Sequence, residues 1–294
     1  MANRTGKNLD FKTTGGDYAI KQPLENRDPQ NQYLIEAINL VVEYDRTREK
    51  TKLVALDDFN LNVHLGEFVT IVGPSGCGKS TFLNVVVGLN RPTAGKVYVD
   101  HKLVTGPGPD RAMVFQEYGL LPWRTVEKNV EFGLEMLGKL DVAGRERVHH
   151  FIHLVGLDGF EQSFPRELSG GMRQRVGLAR ALSIEPRILL MDEPFAAVDL
   201  ITREMMQDEL SRVIGETKQT VVFVTHSVDE AIILGDRVVV LTGRPGKVKR
   251  IITVHLPKPR SERGLRSSHE FLELRENIWQ ELASEISSAK QMGG

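Results

Sequence analysis

Phe68-Val69-Thr70-Ile71-Val72-Gly73-Pro74-Ser75-Gly76-Cys77-Gly78-Lys79-Ser80 is the stretch on which the reading of this chain turns. Its first five residues form a short apolar run with β-branched side chains, the pattern of a strand buried on both faces. Its last eight satisfy G-x-x-x-x-G-K-[ST] between that strand and a helical segment continuing through Thr81. Glycines let the backbone turn tightly, so that successive N–H groups point inward at a polyphosphate, and the helix start adds the positive end of its dipole. Lys79 is placed to reach the β and γ phosphates of a nucleotide, and the Ser80 hydroxyl to coordinate Mg²⁺. The bland alternative is an ordinary glycine-rich turn, and the strand directly before the loop argues against it.

Outward from this loop, similar apolar runs occur at Ile188-Leu189-Leu190-Met191, Val221-Val222-Phe223-Val224 and Val238-Val239-Val240-Leu241, separated by stretches long enough for helices. Upstream, residues 33–44 and 53–63 are β-rich. The pattern predicts an α/β fold with a mostly parallel central sheet and an N-terminal antiparallel β subdomain. Between residues 117 and 168 the strand rhythm lapses, and 126–137 and 148–155 show helical spacing, which predicts an inserted helical subdomain at about 117–175. Phe271, Leu274, Ile278, Leu282 and Ile286 recur at helical steps behind the Ser267-Ser268 pair, predicting a capped amphipathic helix in a C-terminal extension over 256–294. Residues 1–30 follow neither period and read as a mobile tail.

The 294 residues are 40% hydrophobic and 26% charged, which excludes wholesale disorder. Thirty-eight Lys+Arg against 39 Asp+Glu leave a net charge of -1, which disfavours a dedicated nucleic-acid binder. The single cysteine, Cys77, forms no intrachain disulfide, and no secretory leader opens the sequence, so a reducing cytoplasmic setting is expected. No apolar run approaches the roughly 18 residues of a membrane span.

A phosphate loop needs a metal carboxylate and a group to manage the attacking water. Asp192-Glu193, at the end of the 188–191 run, supplies both: Asp192 for Mg²⁺ and Glu193 to orient or deprotonate water for in-line attack. Leu168-Ser169-Gly170-Gly171-Met172-Arg173-Gln174 opens a further amphipathic segment with Ser169 as its N-cap, a second surface able to take a phosphate.

With these motifs in this order, residues 33–254 resemble the ATP-binding-cassette family, whose signature begins Leu-Ser-Gly-Gly. The resemblance implies an ATP hydrolase with ATP and Mg²⁺ as cofactors and a cassette domain over about 31–255. It also implies a second cassette, identical or homologous, docked head to tail, so that Ser169, Gly170 and Gly171 of one copy close over ATP on the phosphate loop of the other. Tyr44 matches the residue that stacks on adenine, and Gln116 the glutamine joining the Mg²⁺ shell to the helical subdomain. Asp199 matches an aspartate communicating between cassettes, and His226 the histidine that contacts the γ phosphate and steadies the water. Two departures stand out: Met172 replaces a common Gln, and Ala196-Ala197-Val198-Asp199 replaces Ser- or Gly-Ala-Leu-Asp.

A cassette without its own span is similar to the energy subunit of a bacterial importer. That likeness implies permease subunits in the membrane, a substrate-binding protein acting through the assembly, no nucleic-acid partner, and a place on the cytoplasmic face of the inner membrane. Gly119-Leu120-Leu121-Pro122-Trp123-Arg124-Thr125-Val126 would face the permease or pack the helical subdomain. Gly106-Pro107-Gly108-Pro109-Asp110-Arg111, Leu120-Leu121-Pro122-Trp123, Leu168-Ser169-Gly170-Gly171-Met172-Arg173-Gln174-Arg175 and Arg244-Pro245-Gly246 together resemble the branch importing nitrate, sulfonates and taurine. The competing class, a soluble cassette remodelling nucleic acid or ribosomes, usually carries a coiled-coil insertion or a second cassette. His149, His150 and His153 suggest a metal site by spacing, but a solvated helix face without a nearby carboxylate is the expected reading. Cys77 is expected to be a reactive thiol beside bound nucleotide.

Overall fold

The computed structural model describes residues 33–46, 51–116, 119–196, 198–258, 260 and 264–292. The tail expected over residues 1–30, and Ala197 in the stretch before Asp199, lie outside the described residues. Two long strands, β1 (Tyr33–Arg46) and β2 (Thr51–His64), lead into β3 (Phe68–Val72) and α1 (Lys79–Val87). Next come β4 (Ala94–Val99), β5 (Lys102–Leu103), β6 (Arg111–Val114), and the helices α2 (Val126–Met136), α3 (Val142–Leu154) and α4 (Gly170–Ser183). Strand and helix then alternate through β7 (Ile188–Asp192), α5 (Leu200–Thr217), β8 (Thr220–Val224), α6 (Val228–Leu234) and β9 (Arg237–Leu241). The chain continues through β10 (Val248–Thr253) to α7 (His269–Met292).

The strands form a four-stranded antiparallel sheet, β2-β1-β4-β5, and a six-stranded sheet, β10-β9-β3-β8-β7-β6. In the larger sheet β9, β3, β8, β7 and β6 are mutually parallel, and only the edge strand β10 is antiparallel. The apolar runs explain this arrangement. Along β3, Phe68 and Val72 enter one core while Val69 and Ile71 enter another, and β7, β8 and β9 alternate in the same way. A strand whose two faces both meet apolar neighbours has to be apolar throughout, whereas a half-exposed strand alternates. One face is covered by α1 and the antiparallel sheet, and the other by α2 to α7.

α2, α3 and α4 pack on one another, as the helical spacing predicts. α3 begins six residues before the expected segment, because the Asp141 carboxylate accepts the Gly144 N–H at 2.8 Å and caps a first turn that lies mostly exposed. At the C-terminus the Ser268 hydroxyl caps α7 by accepting the Phe271 N–H. Phe271, Ile278 and Leu282 are buried against α6 and β9 with Leu274 partly so, while the Ile286 side chain lies outside the described residues. No described helix is long and apolar enough to cross a membrane.

Candidate functional site

The register of the parallel strands brings distant residues to one edge. Ile71 and Asp192 both pair with Val224, so the carboxyl ends of β3, β7 and β8 are level. Gly73 follows β3 by one residue, Glu193 follows β7, and His226 stands two residues past β8. In parallel sheets this edge is where ligands bind, since the chain leaves each strand there with free backbone groups and helix starts.

The loop Gly73-Pro74-Ser75-Gly76-Cys77-Gly78 wraps back to α1, whose first residue is Lys79. Gly78 has φ near 100°, and a Cβ there would come within 2.6 Å of Leu56 Cδ2 and 2.8 Å of the Ala55 carbonyl, so only glycine fits. Lys79 is 6% exposed, and its ammonium donates to the Gly73 and Pro74 carbonyls at 2.9 and 3.1 Å, which holds the charge inside the loop. Ser80 donates its hydroxyl to Asp192 at 3.0 Å. Burial pushes the Asp192 carboxyl above the usual range; the Ser80 hydrogen bond opposes that rise and the neighbouring Glu193 adds to it.

Glu193 adopts a left-handed backbone with φ of 44°, uncommon for a residue with a side chain, and its N–H donates to the Val224 carbonyl at 3.0 Å. That turn aims the carboxylate at His226, whose Nδ1 lies 3.3 Å from Glu193 Oε2. Lys79, Ser80, Asp192, Glu193 and His226 thus form one connected group. Gln116 stands two residues beyond Val114, which pairs with Met191, so it too leaves the sheet at this edge and is exposed. Tyr44 flanks the same helix start: its hydroxyl donates to Thr81 at 3.4 Å and accepts from the Asn90 amide at 2.8 Å, while its ring is partly exposed.

Ser169 and Asp199 belong to a second group. Ser169 caps α4 by accepting the Met172 N–H at 3.2 Å, and Asp199 caps α5 by accepting the Thr202 N–H at 3.0 Å, a bond that holds its carboxyl below the usual range. Gly171 faces Thr202 and Met206 of α5, so the two helix starts are neighbours, with Gly170 between them and the cap. α4 packs on α2, α3, α5 and β6, whereas α1 packs on β2, β4, β6, β7 and β8.

Two expectations are corrected. The Cys77 side chain is 1% exposed and turned into the core, and burial pushes its thiol up more strongly than nearby Lys79 and Arg244 pull it down. It is therefore a poor nucleophile, and only its backbone faces the loop. Two of the α3 histidines do have carboxylates nearby, but different ones: His149 Nε2 lies 3.5 Å from Glu127 and His153 Nδ1 lies 3.0 Å from Asp158. These are separate surface contacts, and no group of three or more His, Cys, Asp or Glu side chains suited to a metal occurs among the described residues.

The structure adds groups that motif reading passed over. The buried carboxylate of Glu230 accepts the Thr225 hydroxyl and lies 3.8 Å from Arg203, which also donates to the Val198 carbonyl just before Asp199. Glu230 thereby bridges the strand end carrying His226 and the loop leading into α5. The Ser227-x-x-Glu230 pattern of a helix start was the available signal. In the 119–126 segment Val126 is buried and Leu120 is packed on the core, but Trp123 is 71% exposed beside an open groove lined by Arg124, Lys128, Glu135 and Phe164.

Comparison with known proteins places these features in context. The ABC transporter family profile matches residues 56–196. An ABC transporter ATP-binding protein of Methanocaldococcus jannaschii is 51% identical over 86% of this chain and 91% of its own length. A nitrate import ATP-binding protein of Synechocystis is 46% identical over 71% of this chain and 79% of its own. An aliphatic sulfonates import ATP-binding protein of Bacillus cereus is 41% identical over 83% and 94%. Among solved structures, a dimeric ATP-binding cassette in a post-hydrolysis state bound to ADP and Pi superposes with a TM-score of 0.65 at 34% identity, covering 76% of this chain and all of that one.

Proposed function

This chain belongs to the ABC transporter ATP-binding family and is an ATP hydrolase of the importer type, and on that premise we propose that it energises uptake of a small anion of nitrate, sulfonate or taurine type. The observation that carries the mechanistic reading is the linked pair of contacts at the sheet edge, Ser80 to Asp192 at 3.0 Å and Glu193 to His226 at 3.3 Å. Lys79 moves from the loop carbonyls to the β and γ phosphates of ATP, and the loop N–H groups of residues 73–81 surround the polyphosphate.

Ser80 and Asp192 offer hard oxygen donors with one negative charge, a set that suits Mg²⁺, and they would hold it together with the Gln116 amide oxygen. Bound there, Mg²⁺ would neutralise charge on the phosphate oxygens. Glu193 accepts a proton from the water that attacks the γ phosphorus, the bond to the β–γ bridging oxygen breaks, and ADP and phosphate result. His226 holds the γ phosphate and, through its bond to Glu193, keeps the carboxylate facing the water. Tyr44 stacks on the adenine, its hydroxyl fixed by Asn90 and Thr81.

A second cassette, opposed head to tail, supplies Ser169, Gly170 and Gly171 to the same nucleotide, with Asp199 between the two sites. ATP then joins the copies by its charge, and hydrolysis releases them. Permease subunits in the membrane receive that motion and hold the cassette peripherally at the cytoplasmic face, a substrate-binding protein serving the assembly from the other side. The names of the nitrate and sulfonate relatives support the cargo class. Glu193→Gln tests the chemistry: MgATP binding is retained while turnover falls by about two to four orders of magnitude. Undiminished turnover would assign the water to another residue.

A further inference from the structure

The loop between β9 and β10, Thr242-Gly243-Arg244-Pro245-Gly246-Lys247, has so far figured only in the branch resemblance and in none of the nucleotide motifs, yet it grips the phosphate loop from behind. Arg244 Nε donates to the Gly76 carbonyl at 3.0 Å. Gly246 lies so near that a Cβ there would stand 1.9 Å from the Cys77 carbonyl. The Gly246 backbone also donates to Ala55 at 2.9 Å and accepts from Asp57 at 3.2 Å, tying the loop to β2. Carbonyl and N–H of one trans peptide point in opposite directions, so pinning the Gly76 carbonyl outward fixes the Cys77 N–H toward the inside of the loop, where it reaches across to the Pro74 carbonyl at 3.3 Å. No carboxylate pairs with Arg244 among the described residues, so its positive charge remains uncompensated beside the turn.

The gripping loop is itself held from α7. Glu285 Oε2 accepts the Gly243 N–H at 3.0 Å, and its other oxygen pairs with Lys249 at 2.8 Å. A continuous path therefore runs from the C-terminal helix through Glu285, Gly243 and Arg244 to Gly76, made of two hydrogen bonds joined by the peptide link between Gly243 and Arg244.

We propose that Arg244 is a positioning residue of the phosphate loop and that α7, through Glu285, sets where Arg244 stands, so that the C-terminal helix tunes nucleotide affinity. The proposal rests on reading residues 73–81 as the phosphate cradle. Arg244 does its work on the loop backbone, and so it acts equally on every nucleotide that fills the cradle. Its contribution is to binding rather than to the bond-breaking step, which Glu193 and His226 govern.

The test uses the full chain with Mg²⁺ and measures ATP and ADP affinity and steady-state turnover for the wild type, Arg244→Ala, Arg244→Lys, Glu285→Ala and Glu285→Gln. Arg244→Ala weakens ATP and ADP about tenfold alike, the size of one lost charge-assisted hydrogen bond, and the loss appears in KM rather than kcat. Arg244→Lys recovers part of it. Glu285→Ala weakens both nucleotides about threefold from a position remote from the nucleotide, and Glu285→Gln, whose amide oxygen still accepts the Gly243 N–H, restores affinity. If Arg244→Ala does not fold, the Lys and Glu285 variants decide. Wild-type binding with Arg244 and Glu285 variants indistinguishable from it overturns this inference alone; a wild type that binds neither ATP nor ADP overturns the cradle reading and this inference with it.

Discussion

Cys77 shows how a residue's letter and its place in space diverge. It occupies the centre of the phosphate loop by number, and its backbone lines that loop, but its side chain points into the core under Gly73 and Leu241. The folded protein is therefore expected to react with a thiol-alkylating reagent about a hundredfold more slowly than the unfolded chain, with or without ATP. Alkylation at the unfolded rate, or protection that depends on nucleotide, would contradict this placement. The functional letters were legible because the chemistry restricts them: a loop glycine, a lysine and a hydroxyl in fixed spacing, and an acidic pair ending an apolar run. Side-chain direction was not. Neither was the partner of an isolated charge, as Glu127 and Asp158 beside the α3 histidines and Glu230 beside Thr225 show.

Among the elements, α7 was visible from its apolar spacing and its serine cap, since both are local properties of a helix. What the spacing did not contain is the polar seam on its other flank. Lys249 meets Glu281 at 3.4 Å and Glu285 at 2.8 Å, and Arg250 also pairs with Glu281. The Arg250 hydrogen bond holds the Glu281 carboxyl below the usual range; at Glu285 burial pushes upward but Lys249 and the Gly243 N–H outweigh it. A carboxylate with a depressed pKa contributes stability above its unfolded pKa and loses that contribution as pH falls through the folded value. Acidification below the ordinary glutamate range should therefore loosen α7 while the central sheet holds. Hydrogen-exchange protection of the α7 amides, compared with those of β3, measures it, and α7 protection that persists until β3 opens would contradict it. These pairs are partly exposed, so raised salt should weaken the same contacts.

At the scale of the whole molecule, the parallel sheet class was legible from four apolar runs, but the order of its strands was not, because pairing joins residues far apart in sequence. Val224 between Ile71 and Asp192 is the case that matters: it aligns the three strand ends and so builds the site. The individual cargo is not legible in the nucleotide-binding residues, since the proposed mechanism brings it nowhere near them. The two separate groups of candidate nucleotide-binding residues are the larger-scale feature. One contains Lys79, Ser80, Asp192, Glu193 and His226; the other, at the starts of α4 and α5, contains Ser169 and Asp199. A related cassette has been seen as a dimer with ADP and Pi, and in the proposed head-to-tail pairing each copy would contribute one half of two composite sites.

The claim that ATP is clasped between two copies is tested most directly by the solution mass of the full-length Glu193→Gln variant with and without MgATP. Saturating MgATP should double that mass and ADP should not, while adding Ser169→Arg to the same variant should leave ATP bound to a single copy. A Glu193→Gln protein that binds MgATP yet stays at the mass of one chain, or a Ser169→Arg variant that still pairs, would contradict the account.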